Sequence, residues 1–207
     1  METQDGVRQI ILVPWGRTEW DAQDRLVGHT DVPLSDEGKL EARHVAAALA
    51  SFRPAALYAG PDEPARQTAE ILAEHLRLKV REKEELHEVN LGHWAGLTEA
   101  EFRERFPSVH QMWRDDPTAI QPPEGESLDE AGLRLDAAVA ALLKRSRTVQ
   151  PVILTTGPFA IAAMSLRLTG QPLSLFWQRL DDLQRWIVVP LPAAGRGGGR
   201  PPRRAAG

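Results

Sequence analysis

The chain contains no cysteine among its 207 residues. That absence removes thiol nucleophiles, disulfide staples and cysteine-ligated metal sites together. It also lacks any apolar run approaching the ~18 residues a membrane-spanning helix needs, so no membrane insertion is expected. The first residues, Met1-Glu2-Thr3-Gln4-Asp5, lack a basic stretch followed by an apolar one. No secretory signal is therefore expected, and the reading is a cytoplasmic protein. No internal repeat, G-x-S-x-G elbow or P-loop ending in Lys-Ser/Thr is found.

What is present suffices for one sizeable core: 42% of residues are hydrophobic, and residues 1–190 read as one domain. The net charge of −4 hides an asymmetry, because residues 191–207 hold four Arg and no acid. The body alone carries 21 basic and 29 acidic groups, a net of −8. The tail is rich in Gly, Pro and Arg, cannot pack a core, and reads as a disordered appendage. Its arginines could touch nucleic acid or an acidic partner, but the acidic body argues against nucleic acid.

Short β-branched or apolar runs bounded by turn residues predict strands at Gln9–Val13, Ala56–Tyr58, Lys79–Arg81, Val152–Thr155 and Ile187–Pro190. Helical patterns lie between them. Ser35 can cap a helix running to Ala50, with Asp36 and Glu37 favourable in its first turn. Further helices are expected at Glu63–His75, Glu99–Phe106, Ser127–Arg145 and Pro158–Thr169. Residues 92–126 read as a loop insertion with one short helix. Leu175-Phe176-Trp177 reads as core or as the surface of a homodimer. The alternation predicts a three-layer α/β sandwich around a mainly parallel sheet. Sites in such sheets form at the carboxyl ends of the strands, where Pro14-Trp15 and Thr156-Gly157 would meet.

Five blocks in order carry a resemblance. The first strand ends in Leu12-Val13-Pro14-Trp15-Gly16-Arg17-Thr18-Glu19-Trp20. Then come Arg25-Leu26-Val27-Gly28-His29-Thr30-Asp31-Val32-Pro33-Leu34 with Gly38, and Pro61-Asp62-Glu63-Pro64-Ala65-Arg66-Gln67-Thr68-Ala69. The last two are Leu86-His87-Glu88-Val89-Asn90-Leu91-Gly92-His93-Trp94-Ala95-Gly96 and Pro123-Glu124-Gly125-Glu126-Ser127. Together with the strand at Val152–Gly157, this layout resembles the histidine phosphatase (phosphoglycerate mutase-like) superfamily over roughly residues 9–191. Its first strand normally ends in L-V-R-H-G-E-T-x-W.

The resemblance implies a reaction in which one His attacks phosphorus, a second His and paired Arg bind the phosphoryl oxygens, and an acid protonates the leaving oxygen. By motif position, Trp15 stands where the nucleophile belongs and Thr156 where the second His belongs. Pro14 and Pro64 take the places of two phosphate-binding Arg, and Asp21 that of an Asn that helps hold phosphate. Glu88 keeps the general-acid position. Indole is no nucleophile at neutral pH and offers only a donor N–H, and proline cannot supply a guanidinium fork. Each lost charged hydrogen bond is worth roughly 1.5–3 kcal/mol, so two missing Arg cost about 10²–10⁴ in phosphate affinity.

Individual positions admit two readings. Trp15 either lines a ligand pocket or fills the vacated phosphate cavity; its bulk favours filling, with Glu88, Asp21 or Thr156 accepting its N–H. Glu88 is either a remnant acid or a structural carboxylate taking backbone N–H groups. Arg17 and Arg25 are the candidates for residual anion contacts; Arg17 and Arg66 also read as plain surface charge. His87-Glu88 with His93 misses the H-E-x-x-H spacing, because six residues turn a helix by about 240°. The remaining His residues, 29, 44, 75 and 110, show no ligand spacing, so no metal and no cofactor is expected. The expected function is non-catalytic: binding a partner protein, or an uncharged or cationic small ligand, at a remodelled pocket. The rival is phosphoryl transfer by Glu88 with recruited Arg residues.

Overall fold

Five short apolar segments form one sheet in the computed structural model of the chain, which describes residues 8–29, 31–145 and 150–191. The strands are β1 (Gln9–Pro14), β2 (Ala56–Ala59), β3 (Val80–Glu82), β4 (Val152–Thr156) and β5 (Ile187–Pro190). They lie in the order β3-β2-β4-β1-β5. Every neighbouring pair is parallel except β1 with β5, which runs antiparallel at the edge. The chain reverses direction of sheet growth between β1 and β4, and their register sets Pro14 opposite Thr156. The crevice that ligands favour in open α/β sheets thus opens between the ends of these two strands.

Side-chain alternation at a period of two divides each strand between two cores. Ile11, Val13, Leu57, Ala59 and Ile153 pack under α1 (Asp36–Leu49) and α2 (Glu63–Leu76), against Val45, Leu49 and Leu72. Ile10, Leu12, Tyr58, Val152 and Leu154 face the opposite way, against α5 (Leu128–Arg145) and α6 (Pro158–Leu168). Each fully buried Leu in these layers contributes about 1.5–3 kcal/mol. The three-layer sandwich read from the sequence is the fold observed.

Local signals place the helices as expected. The Ser35 hydroxyl accepts from the Gly38 N–H at 3.1 Å and starts α1. Pro64 falls in the first turn of α2, where its missing N–H costs no intrahelical bond. Thr98 and Glu101 form a reciprocal capping box on α3 (Glu99–Arg105). Gly38 is needed for a different reason: a Cβ there would stand 2.0 Å from the Arg17 carbonyl oxygen, so α1 could not approach the turn after β1.

Two helices exceed the sequence reading. The 92–126 segment contains a second helix, α4 (Pro107–Asp115), opened by a proline directly after α3 ends. Leu175-Phe176-Trp177 leads into α7 (Phe176–Asp181). Of that trio Phe176 is core, with its ring 5.2 Å from that of Phe159. Leu191 is also part of the folded body rather than the tail. It is buried and its N–H donates to the Arg8 carbonyl at 2.7 Å. The remaining Gly/Pro/Arg-rich tail, 192–207, lies outside the described residues. Among the described residues, no helix is long and apolar enough to cross a membrane.

Candidate functional site

The carboxyl ends of β1 and β4 bring Trp15 and Thr156-Gly157 together, with the Trp15 N–H donating to the Thr156 carbonyl at 2.9 Å. Trp15 is only 6% exposed. Its indole packs with Val27, Ala65 at the start of α2, and half-buried Trp20. Gly157 makes room for it, because a Cβ on Gly157 would lie 2.6 Å from the indole Cη2 and 2.0 Å from Glu88 Oε2. One glycine therefore carries a Trp on one side and a carboxyl on the other. The indole Nε1–H finds no acceptor among the described residues, so none of Glu88, Asp21 and Thr156 accepts from it.

Those three residues have other work. Thr156 is buried and its hydroxyl donates to the Leu86 carbonyl. Asp21 Oδ2 accepts from the Thr18 N–H at 2.7 Å and the Thr18 hydroxyl at 2.6 Å, closing the turn that follows Trp15. Glu88 is fully buried at the N-terminus of α6. Its Oε1 accepts from Val89 and Ala160 N–H, both at 2.6 Å, and its Oε2 from Phe159 N–H at 2.9 Å. Burial pushes its carboxyl up to about 8, against the pull of these three donors and with help from the nearby Asp62 charge.

Pro64 is buried in α2 and its carbonyl accepts from the Thr68 hydroxyl at 2.8 Å. Thr68 Oγ1 in turn accepts from the Gly16 N–H at 3.1 Å, tying α2 to the turn after β1. The arginines are engaged elsewhere. Arg17 is exposed and pairs with Glu37 at 3.2 Å and Glu41 at 3.8 Å on α1. Arg25 donates to the Gly96 carbonyl at 2.7 Å and faces Glu101 at 3.6 Å. Arg66 pairs with Glu63 one turn earlier on α2. None of the three is among the hydrogen-bond partners of Glu88.

A second group, which the sequence reading kept apart, sits beside this one. His29 Nε2 lies 2.5 Å from His87 Nδ1 although 58 residues separate them. Glu126 Oε1 stands 4.0 Å from the same His87 nitrogen. The two histidines line a cavity of about 320 Å³ with Asp31, Pro61, Asp62 and Glu84. Asp62 follows β2, is buried, and accepts from the Glu88 N–H at 2.9 Å. Burial raises its carboxyl above the usual range, opposed by that hydrogen bond and by His29 and His87. Burial lowers His87. The signal that could have found the group was the block order: His29, Asp62, His87 and Glu126 each fall in a block of the resemblance. His93, the partner considered from spacing, is not in the group.

The crevice that the family uses for a dianion is thus walled by Glu88, Asp62 and an indole. Two carboxyls raised by burial stand where an oxyanion needs positive charge, and neither supplies it.

Comparison with known proteins places this geometry. The sequence pattern of the histidine phosphatase superfamily (branch 1) matches residues 10–191. Phosphoserine phosphatase 1 of Hydrogenobacter thermophilus is 29% identical over 87% of this chain and 85% of its own length. A glucosyl-3-phosphoglycerate phosphatase of Mycobacterium tuberculosis is 30% identical over 81% of this chain and 78% of its own. The solved structure of the mycobacterial glucosyl-3-phosphoglycerate phosphatase complexed with VO3 superimposes with a TM-score of 0.75 at 30% identity, covering 82% of this chain and 84% of that one.

Proposed function

The chain belongs to the histidine phosphatase superfamily, branch 1, and from that membership we propose that it is a catalytically silent member with a binding or regulatory role. The observation that carries the reading is the buried Trp15 indole lodged against Gly157 at the position of the family's nucleophile. Without an attacking imidazole, covalent phosphoryl transfer has no first step. Pro14, Pro64 and Thr156 supply no charged donors in place of the family's arginines and second His, and Asp21 is spent on its own turn.

The rival reading, phosphoryl transfer by Glu88 with recruited arginines, requires Arg17 or Arg25 to swing toward the crevice. Arg17 is held by Glu37 and Glu41, and Arg25 by Gly96 and Glu101. Glu88, at the family's acid position, already accepts three backbone N–H groups. That arrangement supports a structural carboxyl rather than a proton donor to substrate.

The names of the relatives, phosphatases of phosphoserine and of glucosyl-3-phosphoglycerate, define the substrate panel for the test. Purified protein is expected to hydrolyse neither these two phosphomonoesters nor aryl phosphates above background. Turnover that disappears in Glu88→Gln, which the fold tolerates better than Glu88→Ala, together with a trapped phosphoenzyme, would overturn the proposal.

Repair follows the same logic. Trp15→His alone is expected to give no activity, since the phosphoryl group would still lack its arginines and second His. Combined Pro14→Arg, Trp15→His, Pro64→Arg and Thr156→His restores all four chemical parts on an intact frame. Measurable aryl phosphate hydrolysis is expected from that quadruple variant alone. Robust turnover by the single variant would mean that the remaining pocket still binds phosphate.

A further inference from the structure

We propose that His29, His87 and Glu126 form a binding site for a divalent transition-metal cation of the zinc class. The inference goes beyond the reading of a silent phosphatase and does not depend on it. One ligand atom from each residue lies within 4.8 Å of the others. Two imidazoles and a carboxylate are the donor set that zinc, cobalt and nickel prefer over magnesium or calcium.

The surroundings favour a cation. Asp31, Asp62 and Glu84 line, with His29 and His87 but not Glu126, a cavity of about 320 Å³, and neither lysine nor arginine lines it among the described residues. The cavity leaves room for water to complete a three-residue coordination shell. The imidazole nitrogens already face one another at 2.5 Å. A tetrahedral metal about 2.0–2.1 Å from each nitrogen would hold them about 3.3 Å apart. The rings must therefore part by less than an ångström, on the exposed side of His29.

One cation competes. Arg134 donates to Glu126 Oε1 at 2.5 Å and to Oε2 at 3.1 Å, and the Asn90 N–H takes Oε1 at 3.0 Å. These fill three of the roughly four lone-pair positions of the carboxylate. The one left is on Oε2, because Arg134 and the Asn90 N–H take both positions of Oε1, the oxygen nearest His87, so Glu126 must turn or release a donor to reach a metal. At His87 the Nδ1 contact with the Glu88 carbonyl at 2.8 Å would give way, and the ring proton would reside on Nε2.

The test uses full-length, tag-free protein stripped with chelator and titrated with Co²⁺ or Zn²⁺. Binding is followed by the visible absorption of cobalt and by a competing zinc indicator. One equivalent is expected to bind, with absorption of nitrogen-ligated tetrahedral or five-coordinate cobalt. His29→Ala, at an exposed position that leaves the core intact, is expected to weaken binding by more than about tenfold, since even outer-shell losses cost that much. His87→Ala should do the same, and His93→Ala should change nothing. The proposal fails if stripped protein binds no zinc at about 100 μM, far above the range of a structured zinc site, or if binding survives both His29→Ala and His87→Ala. Phosphatase activity enters none of these readouts, so a catalytic result leaves the metal question open to its own answer.

Discussion

Glu88→Ala is expected to destabilise the protein by about 3–9 kcal/mol, because the buried N–H groups of Val89, Phe159 and Ala160 would lose their acceptor at about 1–3 kcal/mol each. Against a total stability of about 5–15 kcal/mol, that brings the chain close to unfolding. Relief from burying a charge offsets little at neutral pH. With its carboxyl pushed up to about 8, Glu88 is mainly neutral there. The neutral acid still offers oxygen lone pairs to these donors.

The same carboxyl gives stability a pH dependence of definite sign. Its folded value of about 8 lies above the ordinary 4.5, so the folded state holds the proton more tightly. Its contribution is complete below about 4.5 and is lost as pH rises through 8, by up to about 1.4 kcal/mol per unit. Asp62, also raised, acts in the same direction, while the lowered His87 acts in the opposite one. Urea melts at pH 6 and pH 9 should therefore show the wild type weaker at pH 9. Glu88→Gln should lose less stability than the wild type across that window, since only the Asp62 contribution in that direction remains, at a constant cost of about one hydrogen bond. Equal slopes for the two proteins, or a Glu88→Ala loss below about 1 kcal/mol, would mean that Glu88 is neither buried nor bonded as described.

Trp15→Ala is the second large effect, expected at about 3–5 kcal/mol, the range for truncating a buried aromatic. The indole contributes apolar burial against Val27, Ala65 and Gly157 but its N–H has no acceptor among the described residues. Trp15→Phe should consequently cost much less, because deleting an orphaned donor recovers about 1–3 kcal/mol of desolvation. This ordering separates filling from recognition. A ligand-contact tryptophan would show a small stability change in both variants, and such a result in chemical denaturation would remove the cavity-filling role.

Much of this protein was legible in one dimension because the signals are local. The short apolar runs of β1 and β4, the Ser35 cap and proline in the first turn of α2 act within a few residues of themselves. Helix and strand positions read from them hold to within a residue or two. Pro107 shows the limit: the sequence reading places one short helix, ending at Phe106, in this stretch, yet a proline at a first helical position opens α4 directly after it. The unusual residues at the site, Trp15 and Thr156, were also readable, since motif order fixes which strand end each occupies.

What only the tertiary structure decided are the pairings across long separations. Nothing in the chain near Glu88 announces that α6, some 70 residues later, will deliver two N–H groups to its carboxyl. Whether Arg17 and Arg25 serve an anion or a neighbouring acid depends on where α1 and α3 dock. The Trp15 N–H was expected to find an acceptor, but Asp21 and Thr156 had closer partners once the turn and strand closed. His29, His87 and Glu126 meet because three loops gather at the carboxyl end of one sheet. Strand alternation and capping follow from backbone geometry that each short segment carries with it. Charge partners, burial and pKa follow from which segments the crossovers bring together, and that is a property of the whole fold.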